Sequence, residues 1–173
     1  MLGTNQVGEL QVRGPGRMLG YHNKPEANAS AFDGDWFRTG DLFRRDARGY
    51  YYLVGRIKDM IRRSGENVSA LEVEQVIRSM PSILEAAVIG VPDEMRGEEI
   101  LALVVLAEGA TLDPTDFFSF CAQSLARFKV PRYLRTEPAL PKTPSGKIAK
   151  GALREHWRSS QAGCYDHATE RWL

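Results

Sequence analysis

Apolar and polar positions follow one rhythm in the first third of the chain and another in the rest. Up to about residue 55 the pattern is short and alternating. Gly8-Glu-Leu-Gln-Val-Arg13 reads as a strand, Gly14-Pro-Gly16 breaks it, and Tyr50-Tyr-Tyr-Leu-Val54 is aromatic and β-branched. This segment is β-rich and offers no long amphipathic element to cover its strands. Its edges would be unpaired if nothing preceded Met1, as in a torn sheet or barrel. From Gly55 the alternation predicts an extended segment with Ile57 and Ile61 on one face and Arg56, Lys58, Met60 and Arg62 on the other. Ser64-Gly-Glu-Asn67 then returns the chain as a two-stranded hairpin.

Beyond the hairpin the period lengthens. Ser69-Ala-Leu-Glu72 is a capping box with Val68 and Val73 as its staple, and Val73, Val76, Ile77 and Met80 stripe a helix that Pro81 ends. Glu85–Val91 and Glu99–Leu106 read as core strands that pair across the turn-rich Pro92-Asp-Glu-Met-Arg-Gly97. Asp113 caps a second helix with Pro114 at its first position, burying Phe117, Phe120, Cys121 and Leu125. A strand near Tyr133 and a closing helix from about Ile148 to Trp157 follow. Helices alternating with strands, one strand pair being joined by a short turn, exclude a purely parallel sheet. The expected fold class is α+β: a compact C-terminal domain with a small mixed sheet flanked by helices, preceded by an incomplete β-rich subdomain. The boundaries read 1–57, 58–158 and a frayed tail, 159–173.

Charge adds little to this picture. Lys plus Arg number 23 against 22 for Asp plus Glu in 173 residues, a formal charge of +1, so no global field points to nucleic acid or an anionic membrane. No stretch reaches the roughly 18 apolar residues of a membrane span, and the N-terminus lacks a basic region followed by an apolar block, which favours a cytoplasmic setting. Cys121 lies on a helical stripe and Cys164 in a polar tail, neither with a second cysteine at ligand spacing; both read as reduced thiols. His22, His156 and His167 are scattered, so no metal site or hydrolytic triad is expected.

The candidate chemistry lies in three loops. Thr39-Gly-Asp41 presents a carboxylate able to accept from both hydroxyls of a ribose; taken alone it better fits a turn in which Asp41 only caps backbone amides. Arg56 opens a run with four cations among eight residues, suited to a phosphate or ribose oxygen but also to a solvated strand. Ser64-Gly65 would let a thin ligand arm approach the backbone with Glu66 beside it, although in isolation a plain hairpin turn explains it better. Thr143-Pro-Ser-Gly-Lys147 is rigid, then flexible, then cationic, as in a loop delivering an ammonium, or simply a surface lysine before a helix. Dinucleotide and P-loop spacings are not met by Gly14–Gly20 or Ser145–Ile148.

Taken in order, Gly8-Glu-Leu-Gln-Val-Arg-Gly14, Gly20-Tyr21, Thr39-Gly-Asp-Leu42, Gly49-Tyr50, Gly55-Arg-Ile-Lys-Asp59, Ser64-Gly-Glu-Asn67, Glu72-Val-Glu74 and Pro144-Ser-Gly-Lys147 resemble the adenylate-forming acyl-CoA synthetase family. Each motif is weak; their order is specific. The likeness runs to about Trp157 and matches the last third of such an enzyme, without the large N-terminal domain that carries the phosphate loop, acyl pocket and adenine motif.

The resemblance implies a C-terminal portion of an ATP-dependent acid-CoA ligase: a carboxylic acid and ATP, with magnesium in the full-length enzyme, give an acyl-adenylate, and coenzyme A displaces AMP. Fatty acid metabolism is the broad setting it suggests. By the same resemblance Asp41 is the ribose-binding aspartate and Arg56 its partner. Lys147 stabilises charge during adenylation, Lys58 is the hinge, and Ser64, Gly65 and Glu66 line the pantetheine path. Phe128 and Lys129 lie where some relatives contact the CoA nucleotide, with Val130 where some carry a basic residue. The isolated chain is expected to be inactive, its acid, ATP and CoA being handled through an N-terminal domain. The rival reading is a stand-alone module that binds CoA or AMP, or docks to a partner, without catalysis. A third, an adenylation domain feeding a carrier protein, shares the ancestry; Arg62, Arg63 and the Ser-Gly-Glu-Asn turn favour free CoA.

Overall fold

A computed structural model describes residues 2–173, which divide into two compact units, residues 2–58 and 59–173. In the first, β3 (Trp36–Arg45) is the central strand. It pairs antiparallel with β1 (Val7–Val12) along one edge and with β2 (Phe32–Asp33) and β4 (Tyr51–Arg56) along the other. Helix α1 (Pro25–Ala31) interrupts the run of strands. It was legible in the proline at its start and Glu26 in its first turn, and the alternating pattern around it masks it. Among the described residues of this unit only Gly55 is buried, and Val7, Tyr51 and Leu53 stay largely exposed. A four-stranded sheet with one short helix covers too little apolar surface for a core of its own.

The second unit is built around the hairpin of β7 (Ile83–Asp93) and β8 (Gly97–Leu106), antiparallel in register from Ile83 opposite Leu106 to Asp93 opposite Gly97. Its strands read as unbroken apolar runs because both faces are covered. Val88, Ile100, Ala102 and Val104 face one cluster with Val73 and Ile77 of α2 (Ala70–Arg78) and Phe117, Phe118 and Cys121 of α3 (Pro114–Ser124). Ala87, Ile89, Val91, Leu101 and Leu103 face the other, with Leu153 and Trp157 of α4 (Lys150–Ser159). The short hairpin of β5 (Met60–Arg63) and β6 (Glu66–Ser69) joins β8 where Arg63 meets Gly97. β9 (Tyr133–Thr136) runs parallel to β8, which makes the sheet mixed. The caps are formed as the sequence implies: Ser69 Oγ accepts from the Glu72 amide and Asp113 Oδ1 from the Thr115 amide.

Four expectations need correction. The tail does not fray from Ser159. Residues Cys164–Asp166 form β10 against β9, and Arg171–Trp172 form β11 against β10. Cys164 and Asp166 are buried there, and an edge that β9 would otherwise expose is paired. The continuous strand through Ile57 and Ile61 is broken by a 3₁₀ turn at Ile57–Asp59, with Ile57 exposed and Ile61 in the core. The first unit has no core for Ile57 to join. In α3 it is Phe118 rather than Phe120 that is fully buried, because Phe118 stacks on His167 at 4.1 Å from the unforeseen tail. The last helix starts at Lys150, since Ile148 is held in a bridge with Lys142.

Phe117→Ala leaves a large void at a fully buried position and should destabilise the second unit by about 3–5 kcal/mol. Leu53→Ala, half-exposed in the first unit, should stay within about 0.5 kcal/mol. Urea unfolding of the 173-residue chain followed by tryptophan fluorescence measures both, and equal effects would contradict the one-sided core.

Candidate functional site

In the first unit the β3–β4 register sets Asp41 opposite Arg56, and their carboxylate and guanidinium form an ion pair at 2.5 Å. Arg56 Nη2 also donates to the Thr39 carbonyl at 3.3 Å. The Thr39 hydroxyl donates to the Leu10 carbonyl and accepts from the Asp41 amide, at 2.7 and 3.1 Å, and Glu9 accepts from the Gly40 amide, which fixes the loop. Glu9, Arg38, Thr39, Gly40, Arg56 and Lys58 line an open cleft of about 380 Å³. Both members of the pair are partly exposed, so their attraction is worth at most about 1 kcal/mol to stability. The arrangement is therefore cheap to open toward a ligand that offers hydroxyls to the carboxylate and oxygens to the guanidinium. Lys58 is exposed at the end of this unit, in the 3₁₀ turn.

In the second unit Ser64 and Gly65 form the two-residue turn of the β5–β6 hairpin, both left-handed at φ 53° and 85°. A Cβ added at Gly65 would meet nothing within 4 Å, so the backbone there is open to approach. Ser64 and Glu66 line a cavity of about 860 Å³ with Arg63, Arg127, Phe128 and Arg132 among its other walls. Lys129 turns instead to Glu72, at 2.6 and 2.8 Å from its two oxygens.

Lys147 does not line that cavity. It stands exposed on a loop braced by the Thr143 amide to the Lys147 carbonyl at 2.7 Å, Gly146 amide to the Thr143 carbonyl at 2.8 Å and Lys147 amide to Thr143 Oγ1 at 3.2 Å. Gly146, at φ 79°, makes the turn possible. In the first unit Arg56 and Lys58 therefore line the cleft, with Asp41 paired to Arg56; in the second Ser64 and Glu66 line the cavity on either side of Gly65, and Lys147 lies outside that lining.

Sequence reasoning missed the charges that build the cavity. Glu99, fully buried, faces Arg63 at 2.7 Å and Arg96 at 3.3 Å. Arg132 donates from Nε and Nη2 to the two Asp166 oxygens, each at 3.0 Å, and from Nη1 to Asp93 at 3.1 Å. The available signal was an acid at the head of an apolar run, Glu99-Ile-Leu, and a guanidinium in every segment that meets it. Burial alone would push the Asp166 carboxyl up, but hydrogen bonds from Arg132 and the Ala168 amide outweigh it and hold the group below the usual carboxylate value. Burial pushes the Cys121 thiol up to about 12 and raises Cys164 too, so neither is a nucleophile at neutral pH. Among the described residues no three His, Cys, Asp or Glu side chains converge on a metal position.

Residues 72–147 match the profile of the AMP-binding enzyme C-terminal domain. The chain is 44% identical over 153 residues to oxalate–CoA ligase of Arabidopsis thaliana, covering 88% of this chain and 30% of the relative. It is 47% identical over 152 residues to crotonobetaine/carnitine–CoA ligase of Proteus mirabilis, covering 86% and 29%. Its fold matches ATP-bound MatB from Rhodopseudomonas palustris with a TM-score of 0.83 at 39% identity, over 91% of this chain and 31% of that one. It also matches o-succinylbenzoate CoA synthetase from Bacillus subtilis, in complex with its acyl-adenylate intermediate, with a TM-score of 0.83 at 32% identity, over 94% and 32%. Residues 72–147 thus carry the AMP-binding enzyme C-terminal domain, and the chain corresponds to the C-terminal part of adenylate-forming acyl-CoA synthetases. It spans about 30% of the length of the curated relatives it matches.

Because the folded-state Asp166 value lies below its unfolded one, near 3.9, its contribution to stability is present above about pH 4 and is lost as pH falls through the folded value. Asp166→Asn should lower the neutral-pH stability and flatten that acid limb, read from urea midpoints across acid pH. An unchanged slope would mean the Arg132 pair is not coupled to folding.

Proposed function

We propose that this chain supplies the ribose grip and the mobile cap of an ATP-dependent acid–CoA ligase. In this reading Asp41 accepts from the ribose hydroxyls of the nucleotide and Arg56, loosened from its ion pair, holds a ribose or phosphate oxygen. Lys147 brings an ammonium to the oxygens that gain charge as the carboxylate attacks the α-phosphorus and pyrophosphate leaves. The second unit then turns about Lys58, withdraws Lys147 and presents Ser64, Gly65 and Glu66 to the path of the pantetheine arm, along which the CoA thiol reaches the acyl carbon and AMP departs.

One observation carries this: a single compact unit holds an exposed lysine on a braced loop and, away from it, a glycine turn beside an arginine-lined cavity. Two surfaces on one compact unit suit two half-reactions served in turn. The acid is not fixed by these residues; the relatives' names run from oxalate to crotonobetaine and carnitine. No helix among the described residues is long and apolar enough to cross a membrane, which is compatible with a cytoplasmic site of action.

The 173-residue chain, given ATP, magnesium and a panel of carboxylic acids, should release no pyrophosphate above an enzyme-free control, because positioning of the reactants depends on residues other than these. Sustained turnover would overturn that. In a ligase carrying this chain as its C-terminal part, Lys147→Ala should slow adenylation by about 10²–10³-fold and leave thioester formation from supplied acyl-adenylate unchanged. Equal loss in both half-reactions would refute the assignment of Lys147.

A further inference from the structure

We propose that Arg63 is a positioning residue for the thiol path: tied to Glu99, it locks the Ser64–Gly65 turn and the Phe128–Val130 segment into one wall of the cavity. The inference rests on the reading of that cavity as the approach taken by CoA. Arg63 sits at a junction of three segments. Its backbone pairs with Glu66 across the hairpin and with Gly97 of β8, and its Nη1 donates to the carbonyls of Phe128 at 2.8 Å and Val130 at 3.1 Å. Its Nη2 donates to Glu99 Oε1 at 3.2 Å while Nε lies 2.7 Å from Oε2.

Those contacts argue against a role as a direct grip on ligand. A guanidinium whose donors are committed to two carbonyls and a carboxylate has little left to offer a phosphate. What it fixes is backbone. The turn from Arg127 to Lys129 that carries Phe128 joins β5 through this side chain, and the fully buried Glu99 keeps the guanidinium in place. Lysine could not substitute: a point charge on a flexible stem cannot span both carbonyls and the carboxylate at once. The Lys129–Glu72 pair holds the same turn to α2 independently, so releasing Arg63 loosens the wall without unfolding it.

A ligase carrying this chain as its C-terminal part is titrated with CoA and, separately, with AMP by calorimetry, as wild type, Arg63→Lys and Glu99→Gln. Both variants should weaken CoA about tenfold, the cost of ordering one or two loosened side chains on binding, and leave AMP affinity unchanged, with a cooperative thermal transition retained. Glu99→Gln separates positioning from charge, since removing a negative charge beside a polyanion tightens binding if electrostatics rule. CoA binding as tight as wild type, or tighter, in Glu99→Gln or Arg63→Lys overturns the positioning role while the cavity reading stands. A wild-type ligase that does not bind CoA overturns the cavity reading and this inference with it. If Glu99→Gln does not fold, Arg63→Lys, which keeps the buried charge pair, decides the matter.

Discussion

Burial of the β7–β8 hairpin on both faces is the constraint from which the second unit takes its shape. Successive residues of β8 send Ile100, Ala102 and Val104 under α2 and α3, and Leu101 and Leu103 under α4. A slip of one residue would exchange the two sets, and with helices of different size on either side neither cluster would fill. The functional parts hang from that fixed register. Gly97 receives Arg63 and so places the glycine turn; Leu101–Val104 receive β9; Asp93, at the hairpin's tip, anchors Arg132.

The first unit obeys a different economy. With no buried side chain among its described residues, its strands are joined by backbone pairing and by surface charges such as Arg38 on Glu9 and Arg44 over the Tyr52 ring. Such contacts are individually weak, of order 1 kcal/mol or less. That weakness suits the Asp41–Arg56 pair: it orients two opposite charges across one strand register without the desolvation that would make them costly to part. The buried Glu99 cluster is the opposite case, where removing one partner leaves a stranded charge, typically at about 3–5 kcal/mol.

Legibility in the sequence follows the range of the interaction. Ser69, Glu72, Asp113 and Pro114 declare their helices because a cap is formed within three residues, and Ser64-Gly65 declares its turn because left-handed backbone is a local demand. Asp41 and Arg56 could be named as partners only through the resemblance, since the antiparallel register that joins them spans a turn whose pairing the alternation does not fix. The tail was misread for a reason of the same kind. Cys164-Tyr-Asp166 is too short and too polar to signal a strand, and it becomes one because β9 has an open edge and Arg132 an open guanidinium. The Arg63–Glu99 contact lies 36 positions apart in the chain and leaves no periodic trace.

The bracing of the Lys147 loop bears on how its ammonium could travel. Two backbone hydrogen bonds, a third from the Lys147 amide to Thr143 Oγ1, and the Thr143–Ser145 hydroxyl contact at 3.0 Å close the loop on itself, and the Lys142–Ile148 bridge ties its two ends. A loop so closed does not swing on its own by the several ångströms that engaging and leaving a reaction centre demands. On the proposed reading Lys147 is carried by its whole unit, with the motion taken up where the chain passes from one unit to the next, at Lys58 and Asp59. Asp59 is already tethered to Arg154 of α4 at 3.6 Å, whereas Lys58 is exposed. On that proposed reading the dihedral change falls to Lys58, the residue with least to break.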